Sequence, residues 1–407
     1  GLLAANLRAE AIPFLVAGAV LGALLGAIRP AARSLDHPWL AALAAVTGAI
    51  VTVSPEPAFF LLVPLVVAGV AWPLAPADAA PPPLPRALPS WTLPAVFALG
   101  ATVFFAQSAQ RYWDYGAGSK DLGLFYQTHW LIAQGLPPLN TVMGMHALAD
   151  HMELLDYVIA PLLRLHDGPE TLLLAQALAV ASAVFPLGWM GARILESSRA
   201  GLALALAWLL APDLHAGVMF DYNPMLLGSA ALLWTAWALL CRGWPAAIIL
   251  AVVACLSRED VCLYVAVLAA VLAFRGVGWQ RGAVVAGIAL AIFAFEVGVL
   301  FPRFRAGGFR HWEQFAETAE AAAPEQAIRD AAGRVVDHPQ KRRSLLQPLA
   351  ATGFVGLADP VSVVLQFPNW GERFFSSYGT RWWGYHYGVP AAATASLSTG
   401  LSRSPTS

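Results

Sequence analysis

Charged residues are scarce in this sequence, and their scarcity excludes a water-soluble protein of this size. Asp, Glu, Lys and Arg make up 12% of the 407 residues, whereas 58% of the residues are hydrophobic. The mean hydropathy is +0.62. Because soluble domains carry roughly a quarter charged residues, this chain has too little charge to cover a water-exposed surface. The composition predicts an integral membrane protein surrounded by a lipid bilayer.

Lysine and cysteine are also rare. Lysine occurs only at Lys120 and Lys341, and the formal net charge is −1, so no basic stripe is available to neutralise the phosphates of a nucleic acid. The cysteines, Cys241, Cys255 and Cys262, form no Cys-x-x-Cys pair, which argues against a disulfide framework or a zinc–thiolate site. We expect small buried cysteines and no nucleic-acid partner, and the sequence leaves any protein partner unknown.

Long apolar runs fill most of the chain. Many are long enough, or nearly so, to span a membrane, and their Ala, Leu and Val content without regular alternation predicts helices rather than barrel strands. The runs lie at about 11–29, 40–54, 57–75, 92–109, 171–191, 200–214, 219–240, 245–257, 261–275 and 282–301. We therefore expect an all-α polytopic membrane protein.

The Pro-rich stretch "PPPLPRALP" divides these runs into two groups. The last apolar run is shorter than the roughly 20 residues that a span needs, so we expect the C-terminal segment to be truncated. The expected regions are accessory N-terminal transmembrane helices (1–80), a linker (81–91), a membrane core (92–301) with an outer loop (110–170), an outer Arg-rich loop (302–346) and a C-terminal membrane segment (347–407).

Arginines in the short loops fall on one side of the membrane if the spans alternate, and that side is the cytoplasm. This pattern predicts a multi-pass protein of the cytoplasmic (inner) membrane. The densest polar stretches, "KDLGLFYQTHW", "ALADHMELLDYVIAP", "HAGVMFDYNP" and "SREDV", then all face outward, and "GTRWWGYHYG" joins them if its segment returns to that side. Because polar groups near hydrocarbon are costly, their convergence suggests a shared outward cavity.

The first outer loop carries two groups of candidates. Asp121 either caps a helix or acts as a general base or as a ligand for a divalent cation. If the second stretch is helical, His146, Asp150 and Glu153 share one face of the helix. That set either binds a metal or marks an interfacial helix at the membrane surface.

The later clusters are equally open to two interpretations. Arg258 could hold a phosphate while Glu259 or Asp260 orients it, or the three charges could form a structural ion-pair cap. The aromatic residues around His386 and Tyr387 could border a sugar site or belong to an aromatic belt at the membrane interface.

Read in order, several segments resemble one family of multi-spanning membrane proteins, DUF2079. They are "DLGLFYQTHWLIAQG", "DHMELLDYVIAPLLRL", "FDYNPMLLGSAALLW", "LSREDVCLYVAVLAAVLAF", "FPNWGERFFSS" and "HYGVPAAA". Their order and spacing agree with the family from about residue 92 to residue 395. The family in turn resembles the GT-C glycosyltransferases, which carry a catalytic acid in a long first outer loop of a helical membrane bundle. The resemblance implies a GT-C-like helical bundle for this chain, with interfacial helices in its first outer loop.

This resemblance implies a glycosyltransferase that moves a sugar from a polyprenyl-phosphate donor to an acceptor on the outer face. It makes Asp121 the catalytic candidate, and it makes a divalent cation, Mg²⁺ or Mn²⁺, the cofactor to consider. If a metal binds, Asp121, Asp150 and His151 are its expected ligands. The expected substrate-binding residues are Asp150, His151, Asp221, Asn223, Arg258, Glu259, Asp260, His386 and Tyr387.

Two other classes of function compete with this hypothesis. A solute transporter or lipid flippase would show an internal repeat and acidic residues in the middle of spans, and Glu296 is the one carboxylate deep within an apolar run. A non-catalytic membrane scaffold would have outer polar clusters that do not meet in space. The positions of Asp121 and Arg258 relative to one cavity therefore distinguish a scaffold from the other two classes.

Overall fold

The structure is a computed structural model that describes residues 88–118, 120–240, 243–309, 311, 333, 338–350, 352–383 and 385–401. The first three predicted spans, the region 1–80, most of the linker and most of the 302–346 loop lie outside the described residues. The described part is mostly helical, and its strands β1 (Leu139–Asn140) and β2 (Met145–His146) form one small antiparallel sheet.

Helices follow one another with short connections, some of them single 3₁₀ or π turns. In chain order they are α1 (Thr92–Trp113), α2 (Asp121–Ala133), α3 (Asp156–Ile159), α4 (Pro169–Ser182), α5 (Val184–Ile194), α6 (Ser198–Leu209), α7 (Pro212–Val218), α8 (Pro224–Leu240), α9 (Trp244–Cys255), α10 (Val261–Leu272), α11 (Trp279–Phe295), α12 (Phe301–Phe304), α13 (Pro339–Ala350), α14 (Pro360–Val363), α15 (Phe367–Phe375), α16 (Gly379–Trp383) and α17 (Val389–Leu401).

Three helical stretches of the described residues are long and apolar enough to cross a membrane: Thr92–Trp113, Pro169–Ile194 and Trp279–Phe304. Helices α6 and α7 make a fourth if this pair, bent by 46°, is one broken span. The break falls before Pro212, whose ring cannot continue the preceding helix. Helices α8 and α9 and the stretch Val261–Val277 are apolar but shorter. The prediction of an all-α membrane protein is confirmed.

Helix α8 is the centre of the bundle. Almost all of its residues are buried, and it contacts α4, α9, α10 and α17. An apolar helix without a polar face must be surrounded by protein or lipid, and α8 is surrounded by protein. Helix α11 lies at the rim instead, where Trp279 and Phe295 are exposed and would contact lipid.

Helices α5 and α6 approach each other closely at three glycines, Gly188 and Gly191 on α5 and Gly201 on α6. A Cβ placed on Gly201 would overlap the carbonyl oxygen of Gly188 and lie 2.8 Å from the nitrogen of Ala192. A Cβ placed on Gly191 would lie 2.7 Å from the Cα of Gly201. Small residues at such contacts let membrane helices pack backbone against backbone.

The interpretation of "ALADHMELLDYVIAP" as a helix is wrong for most of the segment. His146 ends β2, a 3₁₀ turn covers Ala147–Ala149, and regular helix begins only at Asp156. Tertiary contacts decide the path, because the backbone N–H of Met152 donates to Glu259 of a distant turn and that of Leu155 donates to the carbonyl of Leu256. The polar side chains of this segment therefore do not share a helical face, although they still reach one cavity.

Candidate functional site

A cavity of about 460 Å³ lies where the first loop, two turns and the C-terminal segment meet. Helix α2 and the segment after β1 form one wall, and the turns before α8 and α10 form another. The polar side chains that line it are Lys120, Asp121, Thr128, Asn140, His146, Asp150, His151, Glu153, Asp156, Asn223, Arg258, His311, Tyr378, His386 and Tyr387. Polar clusters that are far apart in the sequence thus share one cavity.

Asp121 is the first residue of α2, where the helix dipole favours a carboxylate. Burial raises the pKa of Asp121, while the charges of Lys120 and Arg111 lower it in part. A second carboxylate is close, since a Cβ placed on Gly118 would lie 3.3 Å from Oδ2 of Asp121 and 3.0 Å from Oδ2 of Asp221. Glycine at position 118 leaves room for both.

Asp221 lies beside the cavity rather than among its lining residues. It forms an ion pair with Arg111, and its Oδ2 accepts a hydrogen bond of 2.7 Å from the backbone N–H of Gly118. Its φ of 117° is strained for a residue with a side chain. Asp221 therefore fixes the chain just before Asp121. Asn223 lines the cavity, but its Oδ1 accepts from the backbone N–H of Met225 at the start of α8.

Arg258 presents a buried cation to the cavity. Its side chain is 1% exposed, and its Nε lies 3.3 Å from Oδ2 of Asp260. Its guanidinium carbon lies 5.0 Å from the centre of the Tyr387 ring. Among the described residues, Nη2 of Arg258 has no hydrogen-bond partner. A guanidinium with an unused donor at a cavity wall suits a phosphate or carboxylate ligand.

Glu259 does not line the cavity but holds a residue that does. Its Oε1 lies 2.8 Å from Nδ1 of His151, and its Oε2 accepts the backbone N–H of Met152 at 3.0 Å. Asp260, the third charge of this turn, pairs with Arg258, and burial raises the pKa of Asp260. The predicted substrate-binding turn thus contributes Arg258 directly and the two carboxylates through their neighbours.

His386 and Tyr387 do not belong to a lipid-facing aromatic belt. His386 and Tyr387 are each 7% exposed, and both line the cavity. The His386 ring contacts Phe220 with ring centres 5.0 Å apart. Burial, reinforced by the charge of Arg258, lowers the pKa of His386 well below its usual value, so its imidazole is neutral.

A group of possible metal ligands lies on the same cavity. Asp150, His151 and His311 each offer one ligand atom, and these atoms lie within 4.8 Å of one another. The His151 and His311 rings stack with centres 4.3 Å apart. Burial, and next the neighbouring His151, lower the pKa of His311 to about 3, which favours the neutral imidazole that binds metals. The donors fit a divalent cation, and Asp121 does not belong to the group.

The match to a family of known sequences covers this whole cavity. The family model described as a predicted membrane protein, DUF2079, matches residues 111–402. The chain belongs to the DUF2079 family. No curated protein and no solved structure matches the chain significantly. Every residue that lines the cavity lies within the matched range, so the site is built entirely from the DUF2079 region.

The sequence places Glu153 in a possible metal-binding set, but it does not reveal that Glu153 and Asp156 form a buried acidic pair in this DUF2079 chain. Glu153 and Asp156 both line the cavity, and burial raises the pKa of each well above its usual value. Nε2 of His129 lies 3.4 Å from Oδ1 of Asp156. Since burial also lowers the pKa of His129 to about 4, this is a contact between neutral groups. The density of acids in "HMELLD" was the only available signal.

His311 is the other functional residue that the sequence did not reveal. It follows the last long helix, and it reaches back to the first loop, where its Nε2 lies 3.2 Å from the carbonyl oxygen of Asp150. Chemically, the cavity of this DUF2079 protein combines a carboxylate at a helix start, a buried guanidinium and a histidine–carboxylate cluster. Such a set can bind an anionic, hydroxyl-rich substrate and accept a proton from it.

Proposed function

We propose that this DUF2079 protein is a membrane glycosyltransferase with a GT-C-like helical bundle. It would transfer a sugar from a polyprenyl-phosphate donor to an acceptor hydroxyl on the outer face of the cytoplasmic membrane. The observation that carries the proposal is that Asp121 and Arg258 line one cavity. A base and a phosphate-binding cation are the two groups that this transfer needs most.

In the proposed reaction, the acceptor oxygen attacks the anomeric carbon of the donor sugar, and Asp121 takes the proton of that hydroxyl. The bond between the anomeric carbon and the phosphate oxygen breaks, and the lipid phosphate leaves with the bonding electrons. Arg258 would stabilise the negative charge on that leaving group. Attack opposite the leaving phosphate inverts the configuration of the sugar.

The site has a suitable size and basicity for these roles. A cavity of about 460 Å³ lies in the range of small-ligand pockets, roughly 300–1,000 Å³, and it can hold a sugar with its phosphate. The raised pKa of Asp121 makes its carboxylate a stronger base than an exposed aspartate.

The test is to assay Asp121→Asn in membranes supplied with radiolabelled lipid-linked sugars. Because a positioned base contributes about 10²–10⁴-fold, we expect transfer to fall at least 100-fold. Asp114→Asn is the matched control, since Asp114 is an exposed carboxylate of the same loop, and it should leave the rate unchanged. In the wild type, activity should fall on the acid side at a pH above the ordinary aspartate value of 3.8, because Asp121 must be ionised. Full transfer by Asp121→Asn would sink the assignment.

A transporter or flippase remains the second candidate because of Glu296. This residue is fully buried within the Trp279–Phe304 stretch, and the thiol of Cys262 lies 3.8 Å from its Oε2. Reconstitution in liposomes distinguishes the two functions: a flippase would move labelled lipid between leaflets and lose this activity in Glu296→Gln. A scaffold is disfavoured because the outer polar clusters share a cavity.

A further inference from the structure

Two imidazoles and a carboxylate meet on one wall of the cavity although they come from distant parts of the chain. Asp150 and His151 belong to the first loop, whereas His311 lies beyond the last long helix. One ligand atom from each lies within 4.8 Å of the other two. All three side chains also line the cavity, so an ion bound there would be accessible to a substrate.

A buried carboxylate behind this group orients one of its imidazoles. Glu259 is 1% exposed, and its Oε1 lies 2.8 Å from Nδ1 of His151. If Nδ1 donates its proton to Glu259, the lone pair of the neutral ring is on Nε2, which becomes the ligand atom. Metal-binding histidines almost always have such an outer carboxylate or carbonyl partner. The second carboxylate oxygen of Glu259 is fixed by the backbone N–H of Met152.

We propose that Asp150, His151 and His311 bind one divalent transition-metal ion, with Glu259 as the outer group that positions His151. Imidazole ligands suit Zn²⁺ and its neighbours in the first transition row, whereas Mg²⁺ prefers an all-oxygen shell. The donor set therefore favours Zn²⁺ over Mg²⁺. It differs from the ligand set expected from the sequence, because His311 takes the place of Asp121. Three protein ligands leave a fourth position for water or for a substrate oxygen.

This inference does not depend on sugar transfer, because metal binding is measured without a donor substrate. The full chain, purified in detergent with a tag that lacks histidine, is stripped with a chelator and dialysed against Zn²⁺ or Mg²⁺. Metal is then quantified by mass spectrometry. We expect stoichiometric Zn²⁺ and far less Mg²⁺. His151→Ala and His311→Ala should lose the Zn²⁺, and Glu259→Gln should bind it about 10–100-fold more weakly.

His166→Ala is the matched control, because the His166 side chain is largely exposed and lies outside the cavity. This variant should keep the full amount of Zn²⁺. The proposal is overturned if the wild type binds no Zn²⁺, or if His151→Ala and His311→Ala bind as much as His166→Ala. If either variant fails to fold, pulsed EPR of the Cu²⁺-loaded wild type decides the question, since two coupled imidazole nitrogens are expected and fewer would refute the site.

Discussion

Arg258→Met should destabilise the protein by removing a cation that buried acids need. The Arg258 side chain is 1% exposed, and its Nε lies 3.3 Å from Oδ2 of Asp260. Met preserves much of the length and apolar volume of the arginine but not its charge. In the variant, Asp260 would keep a buried carboxylate next to Glu259 without a nearby compensating guanidinium, although the more distant Arg381 still favours its ionised form.

The size of the effect follows from the burial of this pair. Removing one partner of a buried ion pair costs about 3–5 kcal/mol. Asp260 can avoid part of this cost by protonation, because burial already raises its pKa and Arg258 is the main group that lowers it. We therefore expect a loss of about 3 kcal/mol near pH 7. The loss should shrink as the pH falls and should be smallest below the ordinary pKa of 3.8, where the carboxyl is mostly neutral in the folded and unfolded chains alike.

The assay is unfolding in detergent by SDS or heat, followed by circular dichroism at several pH values. The double variant Arg258→Met with Asp260→Asn should regain most of the lost stability, because it no longer buries an uncompensated carboxylate. Arg164→Met is the control: Arg164 is exposed and, among the described residues, donates to the carbonyl of Ala133, so its loss should cost about 1 kcal/mol or less. Equal stability of Arg258→Met and Arg164→Met, or a further loss in the double variant, would refute the reasoning.

Two further predictions concern packing and pH. Gly201→Ala should lower the free energy of unfolding by about 1–3 kcal/mol or more, because the added methyl group overlaps Gly188. Gly287→Ala is the control. A Cβ at Gly287 meets nothing within 4 Å, so this variant should be neutral in the same unfolding assay. Relative to His129→Gln, the wild type should lose stability as the pH falls below 6.5, because His129 accepts a proton in the unfolded chain but only at about pH 4 in the fold. The pKa of His129 differs by about 2.5 units between the unfolded and folded chains, which corresponds to a loss of about 3 kcal/mol at pH 4. His129→Gln should remove this loss, and the exposed control His166→Gln should not. Parallel curves of stability against pH for the wild type and His129→Gln would contradict this.

Within the described residues, the sequence predicts the long apolar helices well and their ends less well. Apolar runs are a strong signal because backbone groups in lipid must be satisfied within the helix. The runs at 92–109 and 171–191 correspond to α1 and to α4 with α5. The predicted run at 200–214 is broken before Pro212, and its continuation to Val218 was not foreseen. Short polar segments gave weaker signals, and Ala147–Pro161 adopted the path set by its tertiary contacts.

The meeting of the polar clusters could be predicted from alternation alone, but their individual partners could not. Arg258, Asp121 and His386 share a cavity as the outward side of each turn suggested. His311 was missed because it lies in a long loop without a motif and meets Asp150 across 161 positions of sequence. The pairing of Glu153 with Asp156 was not predicted, because burial of a carboxyl in a cavity wall has no local sequence signature. What these residues do chemically stays a prediction.

The shortness of α9 has a consequence for the membrane itself. A helix of 12 residues is about 18 Å long, whereas the hydrocarbon layer is about 30 Å thick. If α9 begins at one surface of the hydrocarbon layer, the charged turn that follows it ends about 12 Å short of the other surface. Either the bilayer is thinner beside this turn, or water enters the bundle from the nearer membrane surface and reaches the charged side chains. Acyl-chain length in the surrounding lipid then becomes a variable that sets how far the turn with Arg258 lies from the membrane surface.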